Sequence, residues 1–180
     1  METSSGKQGL RRQIQAQRPQ SSQGLTSNLV RLALELNAQT IASYVSDPKE
    51  PDTSDFNSWV ESLGKRLLLP RVSGEDLEFA QGPLTPGSFG LLEPTSEAAL
   101  LGEADLILLP ALAVDKAGVR LGKGKGFYDR ALRAIAGIPL YAVVFDSEIY
   151  DQLPSEPHDR KVTGAITPTA IHHFKASAFG

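Results

Sequence analysis

Residues 120–130 read RLGKGKGFYDR, with glycines at 122, 124 and 126 alternating with lysines at 123 and 125. A regular helix or strand is destabilised by glycine at every second position, because each one adds backbone freedom that folding must remove. The stretch is therefore a loop, and its flanks define what it joins. An apolar run, LILL at 106–109, precedes it, and Phe127, Ala131, Leu132 and Ile135 follow at helical spacing. The first predicts a strand over 104–110, continuous and apolar as in a parallel sheet covered on both faces. The second predicts a helix over 127–136, closed by Gly137. A further buried strand is predicted over 140–145, LYAVVF. Strand, loop, helix and strand make a βαβ unit, which is right-handed in nearly all proteins.

The rest of the chain alternates in the same way. A basic, Gln-rich helix is expected over 7–18, stopped by Pro19. A second helix runs to Asn37, with Ser21, Ser22 and Thr26 as candidate caps and Leu25, Leu29, Leu32 and Leu36 on one face. A strand over 41–45 and a turn over 47–51 lead to a third helix, capped by Thr53 or Ser54 and carrying Phe56, Trp59, Val60 and Leu63. Strands are read over 66–72 and 77–80, a glycine- and proline-rich loop over 81–94, a short helix over 96–101, a loop over 151–159 and a last strand over 162–166. Residues 1–6 are small and polar and are expected to be disordered. The pattern predicts one domain over 7–180: a three-layer, Rossmann-like α/β fold, its sheet mixed but mostly parallel with helices on both faces. In such folds ligands bind beyond the carboxyl ends of the strands.

Composition narrows the ligand. The net charge is −3, so no basic field for nucleic acid is expected, and the lysines of residues 120–130 are a local concentration suited to a small anion. There is no cysteine, which excludes disulfides, thiolate catalysis and cysteine-bound zinc. No apolar run approaches the ~18 residues of a membrane span, and the N-terminus lacks an apolar signal core, so no membrane partner and a cytoplasmic location are expected. No dimer stripe is visible, and a monomer is expected.

The glycine loop fits neither standard phosphate template. A P-loop needs four residues between its first glycine and the Gly-Lys pair, then Ser or Thr; here Gly126 and Phe127 follow Lys125. The dinucleotide spacing G-x-G-x-x-G is also absent, since the chain has G-x-G-x-G. The chemistry still favours phosphate over an ordinary crossover with solvated lysines: glycines admit a close backbone approach, Lys123 and Lys125 neutralise charge, and the N–H groups of a following helix face an anion. Asp129 is either a helix-start acid complementing the dipole or a Mg²⁺ ligand beside phosphates. Lys7, Arg11 and Arg12 recur on one basic helix face. Glu50, Glu93 and Asp159 are isolated loop acids, and His158, His172 and His173 form no metal-ligand spacing.

DLILLPALAVD followed by RLGKGKGFYDR resembles the signature of the 5-formyltetrahydrofolate cyclo-ligase family, also called 5,10-methenyltetrahydrofolate synthetases. Smaller motifs recur in the family's order: Lys7-x-x-Leu10-Arg11, Glu50-x-x-Thr53 after the strand containing Tyr44, Leu69-Pro70-Arg71, Glu93-Pro94, the segment PSEPHD at 154–159, and Ile166-Thr167. The departures are Val114 where the family often has Phe, Lys123 where it often has Tyr or Arg, and Phe127 where it often has Tyr. The last removes a hydroxyl.

The resemblance implies an ATP- and Mg²⁺-dependent ring closure of 5-formyltetrahydrofolate. It places Lys7, Arg11 and the residues Arg120, Leu121, Gly122, Lys123, Gly124, Lys125, Gly126, Phe127 and Tyr128 around ATP, with Lys125 and Arg120 as the catalytic cations. It places Val45, Glu50 and the stretch from Lys123 to Phe127 against the folate, and Asp129 and Asp159 on Mg²⁺. Two readings of other kinds stand beside it. One is a sugar-phosphate isomerase-like enzyme on a similar scaffold, which would not need ATP. The other is a nucleotide- or folate-binding module without turnover.

Overall fold

Strands whose residues are apolar at every position can be stable only where both faces of the sheet are covered, and that is how the centre of this chain is built. The computed structural model describes residues 2–175, with side chains from residue 6 onward. Its helices are α1 (Glu2–Gln17), α2 (Leu25–Glu35), α3 (Ser54–Ser62) and α4 (Phe127–Ala131). The strands up to the glycine loop are β1 (Thr40–Ala42), β2 (Arg66–Ser73), β3 (Asp76–Ala80), β4 (Leu84–Pro86), β5 (Leu92–Pro94), β6 (Ala98–Ala99), β7 (Leu106–Pro110), β8 (Ala113–Asp115) and β9 (Arg120–Leu121). After it come β10 (Leu140–Val143), β11 (Ile149–Tyr150), β12 (Gly164–Ile166) and β13 (Ile171–His173).

The main sheet has eight strands in the order β13-β12-β10-β7-β1-β2-β3-β6. The five from β12 to β2 are parallel, and β13, β3 and β6 close the edges antiparallel. Successive residues go to opposite layers. Ile41, Leu67, Leu69, Leu106, Leu108, Val143 and Ile166 pack with Leu25, Leu29 and Leu32 of α2 and Phe56 and Val60 of α3. Ala42, Leu68, Ile107, Leu109, Leu140, Ala142 and Ala165 face the other way, onto Leu132 and Ile135 after the glycine loop. The mixed, mostly parallel, Rossmann-like domain read from the sequence is the fold observed.

Several elements differ from the reading. The helix predicted over 127–136 is only five residues long, because the chain tightens into turns in which the Arg133 N–H reaches Arg130 O (3.3 Å) and the Ile135 N–H reaches Leu132 O (3.0 Å). Residues 98–99 form an edge strand and 101–103 a 3₁₀ turn where a helix was expected. The loop at 81–94 contains the hairpin β4–β5. Neither Ser21, Ser22 nor Thr26 caps α2, whose N-cap is Gly24, and Thr53 turns its hydroxyl away from α3 to donate to Tyr44 O (2.8 Å). The backbone of α1 already runs from Glu2, inside the stretch expected to be disordered.

The glycine loop does not leave the main sheet directly, as expected. It leaves a second sheet, β11-β8-β9, set beyond the carboxyl end of β7. Asp115, 2% exposed, organises that sheet: its Oδ1 accepts the N–H of Ala117 (3.0 Å) and of Val119 (2.9 Å) in the β8–β9 turn. Its Oδ2 accepts the N–H of Leu153 (2.9 Å). Ile14 of α1 packs on the same small sheet with Leu112, Val119, Leu121 and Leu153. At the far end of α1, the buried guanidinium of Arg18 donates to both oxygens of Glu148 (2.9 and 3.0 Å) and to Ala111 O (2.7 Å). Asp115→Ala leaves three N–H donors without that acceptor, those of Val119 and Leu153 buried. Each unsatisfied buried group costs about 1–3 kcal/mol, so urea denaturation should show a loss of roughly 2 kcal/mol or more, and an unchanged midpoint would refute the role.

Candidate active site

One cavity of about 470 Å³ opens beyond the carboxyl ends of the parallel strands. The glycine loop, residues 120–129, forms one wall. Lys7 and Arg11 of α1 form a second, and Val45, Asp47 and Glu50 after β1 a third. Phe89, from the tip of the β4–β5 hairpin, and Glu156, His158 and Asp159 complete the rim. Residues separated by up to 152 positions in sequence thus meet in one place: the Lys7 ammonium lies 3.4 Å from Asp159 Oδ2.

The loop is held open by cations. Arg11 Nε donates to Gly122 O (2.8 Å). The buried Arg120 donates to Pro110 O (2.9 Å), lies 3.6 Å from Asp129 Oδ1 and stands over the Tyr128 ring. Burial lowers the Arg120 pKa below the ordinary arginine value, with Asp129 opposing. Gly124 and Gly126 have φ of +101° and +72°, conformations that side chains with a Cβ rarely adopt. A Cβ at Gly126 would also lie 2.8 Å from Arg130 Nη1. Because α4 is only five residues long, its dipole adds little, and an anion in the cavity would meet these side chains rather than helix N–H groups.

The two lysines of the loop serve different neighbours. Lys123 reaches across to Asp47 Oδ2 (2.8 Å) and Glu50 Oε2 (3.4 Å). Lys125 lies over the Phe89 ring, 3.7 Å from its centroid, and Phe89 meets Phe127 edge to face. Phe89 has φ +58°, between Gly87 and Gly90. Phe89 and Asp47 are cavity residues that no sequence motif marked. An aromatic set between glycines in a loop, and an acid opening the turn that carries Glu50, were the available signals.

Glu50 is 8% exposed, and its Oε1 accepts the N–H of Asp47 (2.9 Å). Burial raises its pKa above 4.5, while Lys123 pulls the other way. Burial also acts to raise Asp47, but the hydrogen bonds from Lys123 and the Lys49 N–H outweigh it and the value falls. Tyr128 is raised by burial and by the Glu50 charge.

For a metal, the geometry departs from the expected pair. Glu156, His158 and Asp159 offer ligand atoms within 4.8 Å of one another, although His158 showed no such spacing in sequence. Asp129 is not in that group; it lies against Arg120. Glu93 instead accepts the Val72 N–H (2.7 Å) beside the cavity. His172 and His173 lie on the edge strand β13, where His173 Nδ1 and the Tyr141 hydroxyl are 2.6 Å apart. Lysines and arginines around a glycine turn suit phosphate oxygens, and the nearby carboxylates suit a hard cation. The residues present therefore fit a nucleotide triphosphate with its divalent ion. No helix among the described residues is long and apolar enough to cross a membrane.

Fold and site together define an α/β protein with a cation-lined glycine loop facing a buried acid. The chain belongs to the 5-formyltetrahydrofolate cyclo-ligase family, whose model matches residues 4–168. It is accordingly an enzyme of the ligase type. It is 42% identical over 148 residues to the 5-formyltetrahydrofolate cyclo-ligase of Mycolicibacterium smegmatis, covering 75% of this chain and 76% of that protein. It is 31% identical over 175 residues to the enzyme of that name from Mus musculus, covering 87% and 86%. The NMR structure of Aquifex aeolicus 5,10-methenyltetrahydrofolate synthetase superimposes with a TM-score of 0.79 at 25% identity, covering 95% of this chain and 94% of that one.

A raised carboxyl pKa means that the folded chain binds the Glu50 proton more tightly than the unfolded chain does. Stability then falls as pH climbs from the ordinary glutamate range through the raised value. Glu50→Gln removes this loss. Its stability relative to the parent should improve between about pH 4 and pH 7, measured by urea denaturation at both; a pH-independent difference would show that burial does not shift Glu50.

Proposed function

We propose that the chain converts 5-formyltetrahydrofolate to 5,10-methenyltetrahydrofolate, with ATP converted to ADP and phosphate and Mg²⁺ required. The observation that carries this reading is Lys123, which spans from the cationic loop to the acids Asp47 and Glu50. It sets a phosphate-binding wall directly beside a wall able to accept N–H donors.

The chemistry follows from the substrate. A formamide oxygen leaves poorly. Transfer of the γ-phosphoryl group of ATP to that oxygen gives an N5-iminium phosphate and releases ADP. The N10 lone pair then attacks the formyl carbon, N10 loses its proton, and the C–O bond breaks to expel phosphate. The ring is closed with no covalent enzyme intermediate. Positioning and charge stabilisation are what the protein must supply.

In this reading Lys7, Arg11 and Arg120 hold the triphosphate against the turn at residues 121–128. Lys125 leaves the Phe89 ring for the transferring group, where charge develops. Glu50 accepts the N–H donors of the pterin, and Val45 and Phe127 pack against the ring. Asp129 and Asp159 hold Mg²⁺, which would neutralise phosphate charge. Both acids now face cations, Arg120 and Lys7. Phosphates that draw those cations away would free the carboxylates for the ion. All of these groups come from one chain, so a monomer suffices, and a cytoplasmic site is part of the same proposal.

Purified protein mixed with ATP, Mg²⁺ and 5-formyltetrahydrofolate should develop the near-UV absorbance of the methenyl product. No product from folded protein overturns the proposal. Product formed without ATP would point to different chemistry. Lys125→Ala should cut kcat by about 10²-fold while folate affinity changes little; unchanged turnover would mark Lys125 as a solvated side chain. Asp129→Asn should raise the Mg²⁺ concentration needed for half-maximal rate, and an identical metal titration would leave Asp129 as a partner of Arg120 alone.

A further inference from the structure

We propose that Tyr44 is a substrate-positioning residue whose hydroxyl donates a hydrogen bond to the ring carbonyl beside the N–H donors that Glu50 accepts. This rests on the folate reading of the Glu50 wall and extends it.

Buried polar atoms in folded proteins nearly always have a partner, so an exception calls for a reason. Three buried side-chain atoms find none among the described residues: Ser43 Oγ, Asn57 Oδ1 and the Tyr44 hydroxyl. Of the three residues, only Tyr44 lines the cavity. It is 3% exposed. Its own carbonyl accepts the Thr53 hydroxyl (2.8 Å) and the Asn57 side-chain N–H (3.0 Å), which ties the backbone to the start of α3 and leaves the ring little freedom. The groups whose charge acts on the hydroxyl are Glu50, Tyr128, Arg18 and Asp47, and three of these four line the same cavity. Burial, followed by Glu50, raises the phenol well above 10, so it remains a neutral donor.

The chemistry of the two side chains is complementary. A carboxylate can only accept. The 2-amino-4-oxo edge of a pteridine offers two N–H donors and, next to them, a carbonyl. Glu50 serves the donors and has nothing to offer the carbonyl. A neutral phenol lining the same cavity does. An acid and a tyrosine together read donor, donor and acceptor along one edge, which the acid alone cannot do.

Tyr44→Phe tests this because it removes one oxygen and keeps the ring. If the hydroxyl is unpartnered in the free protein, its loss leaves the melting temperature unchanged or raises it, since no internal bond is broken. The dissociation constant for 5-formyltetrahydrofolate, titrated calorimetrically without nucleotide, should rise about tenfold, as for one lost hydrogen bond. In the coupled assay KM for the folate should rise by about the same factor, with KM for ATP unchanged. A variant that melts lower than the parent overturns the inference, because the hydroxyl then serves the fold. So does a variant that binds the folate as tightly as the parent. Turnover by the parent together with an unaltered folate KM in Tyr44→Phe defeats this inference and leaves the proposed reaction standing. A parent that neither binds nor converts 5-formyltetrahydrofolate overturns both.

Discussion

One buried carboxylate joins the two halves of the site. Asp115 closes the β8–β9 turn with one oxygen and holds the Leu153 N–H with the other. The first contact fixes where β9 delivers Arg120 and the glycine loop. The second fixes the segment that leads to Glu156 and Asp159. Neither half belongs to the main sheet, so the sheet alone could not set their spacing. Charge-assisted hydrogen bonds are strong and directional, more so where buried, and three of them from one residue, two of them buried, brace the small sheet. α1 then seats Ile14 on that sheet and is fastened at its end through Arg18 and Glu148. Lys7 and Arg11 reach the cavity from a helix held at two points.

The central strands were legible because burial on both faces leaves a continuous apolar run, as in β7 and β10. The glycine loop was legible because no regular element accepts its spacing. The small sheet was not. Its strands are two or three residues long, too short to show a period, and residues 111–114 continue the apolar character of β7 past Pro110. β13 was missed for a related reason: His172 and His173 carry no strand pattern, and the strand is held by backbone pairing with β12. The length of α4 was overestimated because Leu132 and Ile135 are buried as a helix would bury them, although the turns that carry them are tighter. Motif order in the chain anticipated which residues share the cavity. It carried no information about partners, which depend on side-chain reach: Asp129 with Arg120, Lys123 with Asp47, the Tyr44 hydroxyl with none among the described residues.

The site keeps opposite charges close and mostly satisfied. Lys123 faces two acids, Lys7 faces Asp159 and Arg120 faces Asp129. Lone buried charges are costly, and this pairing lets a chain with an overall negative charge concentrate cations in one cavity without destabilising itself. Arg11 and Arg130 use backbone carbonyls for the same purpose, at Gly122 and Lys125. The glycines have a second use here. By lacking a Cβ they leave room for guanidinium groups to lie against the turn, so loop and arginines form one packed unit.

Lys125 is the exception, and its partner matters. Its ammonium rests on the face of Phe89, and no carboxylate among the described residues pairs with it. Such a contact at an accessible site is worth about 0.5–1 kcal/mol, and an aromatic face does not compete for cations as an acid does. An arriving anion therefore meets a lysine that is aimed yet weakly committed. In the proposed reaction the hairpin tip bearing Phe89 would act as a holster: it would keep the charge in place between turnovers and set almost no threshold for drawing it.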